Sequence, residues 1–465
     1  MSSANDRRSV VLGGGMAGML AAAVLADHGH DVVVVERDRL PDTARARRGV
    51  PQARHAHLMM SGGARVVETL LPGAAERWLA AGARRISLPT GLVSLLAQGW
   101  LPRWPEMEYL IACSRDLLDA VVRELVLARP GITLHEGAEA AGLLGTARRV
   151  TGVRLHGEGG AEDLTADLVV DTTGRGSRAP QWLARLGLPA VREETVDSGL
   201  VYATRVFRAP PGAEDVPVVS VQAETGTSRP GRGTTLMPIE GGRWIVTLAG
   251  TRGGEPTRDT GEFEPYARTL RHPIVADLIA RAEPLTEVYV TRSTVNRRRY
   301  FERLPEWPAG FLVMGDALAA YNPVYGHGMS VAAHGAAALR AALRTEGAGD
   351  GSGVARRAQQ AAAAAAGPAW DLATGEDLNY PGAVGGRPPV AARLLRGYVQ
   401  RTMLTATANP AVTRPLLEVM TLSRPLSGLF TPQVALHVLR GPGRRRAAEP
   451  PISAAERERW GLARV

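Results

Sequence analysis

The chain has 465 residues, 45 % of them apolar, and a formal charge of +9 carried on the basic side entirely by arginine, because lysine is absent. That length suggests roughly two or three domains with a large core, and the lone Cys113 excludes an intrachain disulfide and suits a reducing cytoplasm. Without lysine there is no Schiff base, no phosphate-loop ammonium and no relay of hypohalous acid, while arginines interleaved with acids, and not with aromatic residues, argue against a nucleic-acid partner.

No apolar run reaches the roughly 18–20 residues of a membrane span, and MSSANDRRSV lacks the apolar core of a signal peptide. SVVL (9–12) reads as a short strand, GGGMAG as a turn, and MLAAAVLADHG as a helix of strong formers. DVVVVER (31–37), a run of β-branched residues, reads as a buried parallel strand. An arginine-rich loop, ARARRGVPQARHAHLM, follows, and residues 62–105 show no clear period. YLIACSR reads as a strand and RDLLDAVVRELVLA (115–128) as a helix by its apolar spacing, with ITLHEG, RVTGVRLHG and DLVVDTTG as further strands. Between about 190 and 295, VDSGLVYATRVF, VPVVSVQAE, GTTLMPIEGGRWIVTLAG and TEVYVTRSTV read as one antiparallel sheet with a hairpin at the GG pair. FLVMGD returns to a buried strand. Beyond residue 328 the chain reads as alanine- and arginine-rich helix, with a loop at TEGAGDGSGVARR and a loosely held end from GPGRRRAAEPP onward.

GGGMAG places Gly13, Gly15 and Gly18 in G-x-G-x-x-G spacing between a strand and a helix, with Glu36 and Arg37 ending the next strand. This is the dinucleotide-binding turn in its proper context. Gly13 permits the tight turn, Gly15 lets backbone approach a pyrophosphate, and Gly18 lets helix and strand pack closely. The free amides near Met16 and Ala17 face the negative charge. Glu36 stands where a carboxylate accepts hydrogen bonds from an adenosine ribose, which disfavours a 2′-phosphate. NAD and FAD both fit this turn.

The stretch GDALAAYNPVYGHGMS (315–330) decides between them. It follows a strand and precedes a helix expected to start near Met329. Asp316 is placed to hold a ribityl hydroxyl, Pro323 fixes the chain before Gly326 and Gly328, and the amides and dipole at Gly328 and Met329 suit the pyrimidine side of a reduced flavin. A nicotinamide dinucleotide has no ribityl chain, so the expected cofactor is FAD.

VVLGGGMAGML, DLVVDTTGRGSRAP and GDALAAYNPVYGHGMS together resemble the flavin monooxygenases of the aromatic-hydroxylase type over about residues 8–340. GVPQARHAHLMMSGGARVVE, IACSRDLLDA, VDSGLVYATR and STVNRRR further resemble the flavin epoxidases of polyether-antibiotic pathways, the monensin and lasalocid type. The resemblance implies an α/β fold: a Rossmann-like FAD-binding domain (1–75, 106–190 and 296–345), an inserted antiparallel β-sheet substrate-binding domain (76–105 and 191–295) and a C-terminal helical region (346–465). It implies epoxidation of the alkenes of a polyene polyketide through a flavin hydroperoxide, with the flavin carrying the chemistry and the protein positioning and protecting it. No catalytic side chain is therefore assigned.

In that family an arginine or glutamine opening the helix after the third strand commonly touches the flavin, and Arg115 holds that place. The family's middle motif reads Asp-Gly where this chain has Thr173-Gly174, with Asp171 two residues earlier. NADPH or NADH is the expected electron source, directly or through a separate flavin reductase. Among Arg45, Arg47 and Arg48, Arg48 is the choice for approaching the pyrophosphate or isoalloxazine. His57, Tyr321 and Tyr325 are the candidate substrate-pocket residues. His55 and His57 could share one face of a strand, but with no third ligand nearby no metal site is assigned. The arginine run 297–299 could attract a carboxylate or a carrier-protein phosphate, or be a solvated sheet edge. The competing readings are a flavin aromatic hydroxylase acting on a polyketide, a flavin-dependent carbon–carbon double-bond reductase and a non-catalytic arginine-rich binding protein.

Overall fold

The computed structural model describes residues 7–47, 49–345, 353–386, 390–443 and 447–462. Its centre is a five-stranded parallel sheet in the order Phe311–Val313, Leu168–Asp171, Arg7–Leu12, His30–Glu36, Ile132–Glu136. Val10 faces Val33 on one side and Val169 on the other, and Val169 faces Phe311. Strands covered on both faces carry continuous apolar runs, which is why VVL and VVVV are legible here.

The helix Met16–Asp27 follows the first strand, and every residue from Gly18 to Leu25 is buried. A helix apolar all round must be enclosed, and this one packs between the sheet and the helix Gly328–Arg344. The two glycine motifs thus open two adjacent helices. A three-stranded antiparallel meander, Ala138–Gly145, Val150–Gly157 and Gly160–Thr165, follows the last edge strand.

A second, eight-stranded sheet is built around the antiparallel strands Val201–Arg208, Arg243–Gly250, Arg232–Ile239 and Val218–Val221. Ile239 and Arg243 close the expected hairpin, with Gly241 and Gly242 both in the left-handed region. Residues 76–105 divide between layers. Leu92–Leu96 extends this sheet by pairing in parallel with Val218–Val221, whereas Arg84–Leu88 pairs with Glu108–Ala112 and Trp78 packs in the core of the parallel sheet.

Beyond residue 328 the described chain is helical, through Gly328–Arg344, Val354–Asp377, Val390–Ala406, Pro410–Met420 and Pro432–Arg440. Most of the TEGAGDGSGVARR segment lies outside the described residues. The C-terminus differs from its expectation. Ser453 and Glu456 form a reciprocal cap that starts the helix Ala454–Trp460, Arg103 pairs with Glu456 at 2.7 Å, and Trp460, 3 % exposed, packs in the core of the eight-stranded sheet with Val93 and Trp244. One large indole inserted into a distant core holds a segment whose composition reads as loose.

Candidate active site

The first glycine corner has the geometry a pyrophosphate needs. Gly13 lies at φ +99°, and a Cβ there would stand 2.8 Å from the carbonyl oxygen of Thr172. A Cβ on Gly18 would fall 1.8 Å from the carbonyl oxygen of Gly13, so Gly18 serves close packing and does not face the cleft. Gly15 meets open space except for Arg47 Nη2, 3.6 Å from its missing Cβ. As N-cap it offers no side chain to the helix, so the first-turn amides at Met16 and Ala17 keep their capacity for a ligand. Glu36 Oε2 accepts from Gly14 N at 2.8 Å, and Oε1 accepts from Asp38 N at 3.1 Å. Arg47 Nη1 donates to Glu36 Oε2 at 3.2 Å, with the two side chains only 8 % and 9 % exposed. Arg37 stands at the mouth of the same cleft.

The second corner abuts the first. Gly315, at φ +60°, lies against Ala17. Asp316 follows with 37 % of its side chain exposed and lines the cleft. Among the described residues it accepts no hydrogen bond from the protein. The surrounding protein desolvates its carboxyl and raises its pKa, while the charges of Arg175 and Arg115 oppose that rise. Its nearest cation is Arg175, with Nε at 4.0 Å. Pro323 opens a short turn that ends at Gly326 (φ +68°), and Gly328 begins the long helix without a side-chain cap. A Cβ on Gly328 would touch nothing within 4 Å, so backbone and ligand can approach closely there. Met329 lines the same wall.

A third segment, from the strand end at Asp171 to Ser177, closes the gap between the corners. Asp171 is fully buried, and burial raises its pKa. Its Oδ1 accepts from Thr173 N at 2.9 Å and Thr173 Oγ1 at 2.6 Å, and its Oδ2 accepts from Ser177 Oγ at 2.6 Å. Its task is to shape the loop. Arg175 leaves that loop to donate to Val295 O at 2.7 Å and to the carbonyl of Tyr321. One arginine thus ties this loop to the Asp316 segment.

The far wall carries Arg115, His55 and His57. Arg115 opens its helix under a Ser114 cap and pairs with Asp119 at 2.9 Å. His57 Nδ1 lies 2.8 Å from the carbonyl of His55, so Nδ1 carries the proton and Nε2 is left as an acceptor. Burial, with Arg115 adding to it, drops the His57 pKa to about 3. His55 Nδ1 meets Thr204 Oγ1 at 2.8 Å, and burial with Arg54 drops its pKa to about 4. His327 donates from Nε2 to Met420 O at 3.0 Å, keeps a buried Nδ1 without a partner, and has its pKa lowered by burial to about 4. All three imidazoles are neutral near pH 7.

These segments enclose one cleft of about 360 Å³. Gly13, Gly15, Met16, Ala17, Glu36, Arg37, Arg115, Asp316, Pro323, Gly326, Gly328 and Met329 all line it, as do His57 and Tyr321. Tyr321 donates its hydroxyl to Ala366 O at 3.0 Å. Tyr325 does not line the cleft and donates to Asp377 Oδ1 at 2.8 Å, behind the loop. Arg48 lies outside the described residues, and of the described loop arginines Arg47 reaches the glycine turn. Arg175 was not anticipated, although its signal, a basic residue in DTTGRGS, was in view. The arginine run is paired: Arg297 and Arg299 with Glu193 at 3.8 and 3.0 Å, and Arg298 with Glu302 at 3.3 Å. Among the described residues no group of three or more His, Cys, Asp or Glu could hold a metal, and no helix is long and apolar enough to cross a membrane.

A Rossmann-like sheet, an uncapped helix start beside Glu36, and a carboxylate at Asp316 that accepts no protein hydrogen bond among the described residues, set between two glycine corners, suit a dinucleotide cofactor. The profile of the FAD binding domain family matches residues 7–366, and the chain belongs to this family of FAD-dependent monooxygenases and hydroxylases. It is 30 % identical over 397 residues to protein Rv3254 of Mycobacterium tuberculosis, covering 80 % of each chain. It is 29 % identical over 345 residues to the kynurenine 3-monooxygenase of Salinispora arenicola, covering 70 % of each. Its fold is similar to that of OxyS anhydrotetracycline hydroxylase from Streptomyces rimosus, with a TM-score of 0.58 at 14 % identity over 90 % of this chain and 76 % of that one.

Proposed function

We propose that this FAD-dependent monooxygenase epoxidises alkenes of a polyene polyketide. The observation that supports this reading is that none of the three histidines lining the cleft is a base matched to neutral pH. His55, His57 and His327 have their pKa values lowered to about 4, 3 and 4, and Tyr321 has its phenol pushed up by burial. Hydroxylation of a phenol benefits from a group that deprotonates it, and a base is most effective when its pKa lies near the working pH. Epoxidation of an electron-rich alkene needs no such group. One oxygen atom of O2 enters the alkene, the other leaves as water, and two electrons come from NADPH or NADH, directly or through a flavin reductase.

Bound FAD supplies the oxygen-activating chemistry. The chain supplies the rest. The Met16 and Ala17 amides and Arg47 hold the pyrophosphate, and Glu36 accepts from the adenosine ribose. Asp316 accepts from the ribityl chain, and the Gly328–Met329 helix start stabilises negative charge on the pyrimidine end. Arg175 and the Asp171-shaped loop fix the segment that faces Asp316. The substrate lies toward the eight-stranded sheet, beside His57, Tyr321 and Thr291, which line the cleft. A carrier-tethered chain and a cytoplasmic setting complete this reading.

Aromatic hydroxylation is the second reading, favoured by the similarity to a kynurenine 3-monooxygenase, whose name places its oxygen on an aromatic ring. The test is to supply a linear polyene and a reductant to the FAD-loaded protein and weigh the product. Epoxidation adds one oxygen mass per reacting alkene. Oxygen found only on a supplied phenol or aniline ring, with the polyene returned unchanged, would overturn the reading in favour of the second.

A further inference from the structure

A second cleft, about 690 Å³, opens beside the first. The two share Arg47, Pro51, His55 and Thr291, so they adjoin at these residues. Arg54, Arg258, Glu287 and Tyr289 line the outer part. Arg54 stacks over the Tyr289 ring at 4.5 Å, which fixes the guanidinium plane and leaves its N–H edges free. Among the described residues neither Arg54 nor Arg258 makes an ion pair or donates a hydrogen bond. Several arginines elsewhere around the site do, namely Arg47 with Glu36, Arg115 with Asp119, and the 297–299 run with Glu193 and Glu302, although Arg178 of the first cleft does not. The outer part of the side cleft therefore gathers positive charge at Arg54 and Arg258, with Glu287 the only acid among the described lining residues.

We propose that this side cleft receives an oxyanion, carboxylate or phosphate, carried on the end of the substrate remote from the alkene that is oxidised, and that Arg54 and Arg258 pair with it. The inference rests on the monooxygenase reading, because the molecule held is the substrate of that reaction. A guanidinium matches the two oxygens of a carboxylate or phosphate with two parallel N–H donors. The junction at His55 and Thr291 then leads an apolar chain from the anchored end toward Asp316 and the glycine corners. Anchoring one end sets which alkene comes into reach. His55, neutral at the junction, adds no charge that would compete for the anion.

The test uses three trienes that differ only in head group: farnesoic acid, farnesyl phosphate and farnesol. Each is titrated into the FAD-loaded enzyme, and binding is followed by the change in flavin absorbance. The wild type is expected to bind the two anions at least ~10-fold more tightly than the alcohol, the size of one charge-assisted hydrogen bond. Added salt should narrow that gap. The double variant Arg54→Gln, Arg258→Gln should bind all three alike with unchanged FAD content, since both side chains are exposed. Which anion gains more distinguishes a carboxylate end from a phosphate end. Equal binding of alcohol and anions by the wild type, no anion binding, or a preference that survives in the double variant overturns the proposal. Product mass separates the two failures. Oxygen added to the triene without a head-group preference defeats the anion site alone, and a preference without oxygen on any alkene defeats the epoxidase reading alone.

Discussion

A Cβ on Gly315 would lie 2.8 Å from the Cβ of Ala17. One residue opens the second flavin corner and the other sits in the first turn after the dinucleotide glycines, so two motifs 298 positions apart in sequence are fitted against each other with no room for a methyl group. The contact sets the distance between the two glycine corners proposed to hold the two ends of one FAD.

Gly315→Ala is accordingly expected to damage both stability and cofactor retention. The position combines that clash with a φ of +60°, and a non-glycine residue held there costs about 1–3 kcal/mol. Thermal unfolding should shift down by several degrees, and the flavin-to-protein absorbance ratio should fall. Gly328→Ala, where a Cβ meets nothing within 4 Å of protein, should unfold at the wild-type temperature and lose affinity for FAD. Wild-type unfolding and occupancy in Gly315→Ala would show that the corners do not depend on this contact.

Arg47 is expected to contribute to pyrophosphate binding. Arg47→Ala removes the guanidinium beside Gly15 but leaves Glu36 bonded to the amides of Gly14 and Asp38. A charge-assisted hydrogen bond is worth about 1.5–3 kcal/mol, so the Kd for FAD should rise by roughly 10- to 100-fold. Reconstitution titrations of Arg47→Ala and Arg48→Ala side by side measure this. A larger loss in Arg48→Ala would reverse the assignment.

The loop arginines show what the sequence could carry. The glycine turn, Glu36, Asp316 and the Gly326–Gly328 corner were legible because each needs a particular backbone conformation or a strand end, and these leave local marks. That Arg47 turns inward depends on how the loop packs against Glu36, which is 11 positions away and bonded to it. Tyr325 looked like a pocket residue because it flanks Pro323. Its hydroxyl is instead drawn to Asp377, on a helix whose approach no local pattern announces. Leu92–Leu96 lacked a readable period because its partner strand, Val218–Val221, is distant in sequence and covers it from the side. Trp460 was missed for the same reason.

Stability should fall between pH 6.5 and about 4, partly through His55. Burial lowers its folded pKa from 6.5 to about 4, so in that window the unfolded chain binds a proton that the folded chain refuses. Stability therefore rises with pH there, is fully present above the unfolded value of 6.5, and is lost as pH falls toward the folded one. The contribution is at most about 3 kcal/mol. His55→Gln retains a polar partner for Thr204 Oγ1 and cannot titrate. Its denaturation midpoint should lose less between pH 7.5 and 5 than the wild type's. An equal loss in both proteins would place the pH sensitivity elsewhere.

Asp316 and Asp377 are expected to fail in opposite ways, although burial raises the pKa of both. Asp316 lines the cleft and accepts no protein hydrogen bond among the described residues, and its pairing with Arg175 Nε is long at 4.0 Å, so the fold depends little on its oxygens. Asp316→Ala should unfold at or above the wild-type temperature in the FAD-free state and retain FAD poorly. Asp377 is 1 % exposed and accepts from Asn296 Nδ2 at 2.7 Å, Asn322 Nδ2 at 2.9 Å and Tyr325 Oη at 2.8 Å. Asp377→Ala leaves those buried donors without an acceptor, at about 1–3 kcal/mol for each one that finds no replacement. The FAD-free protein should therefore unfold at a lower temperature. Because Asn322 and Tyr325 flank Pro323, flavin occupancy should fall as a consequence of the loosened loop, and saturating FAD should restore part of the lost stability. Unfolding of the FAD-free proteins, followed by FAD titration, separates the two cases. A stability loss in Asp316→Ala equal to that in Asp377→Ala would mean that Asp316 supports the fold and not the cofactor.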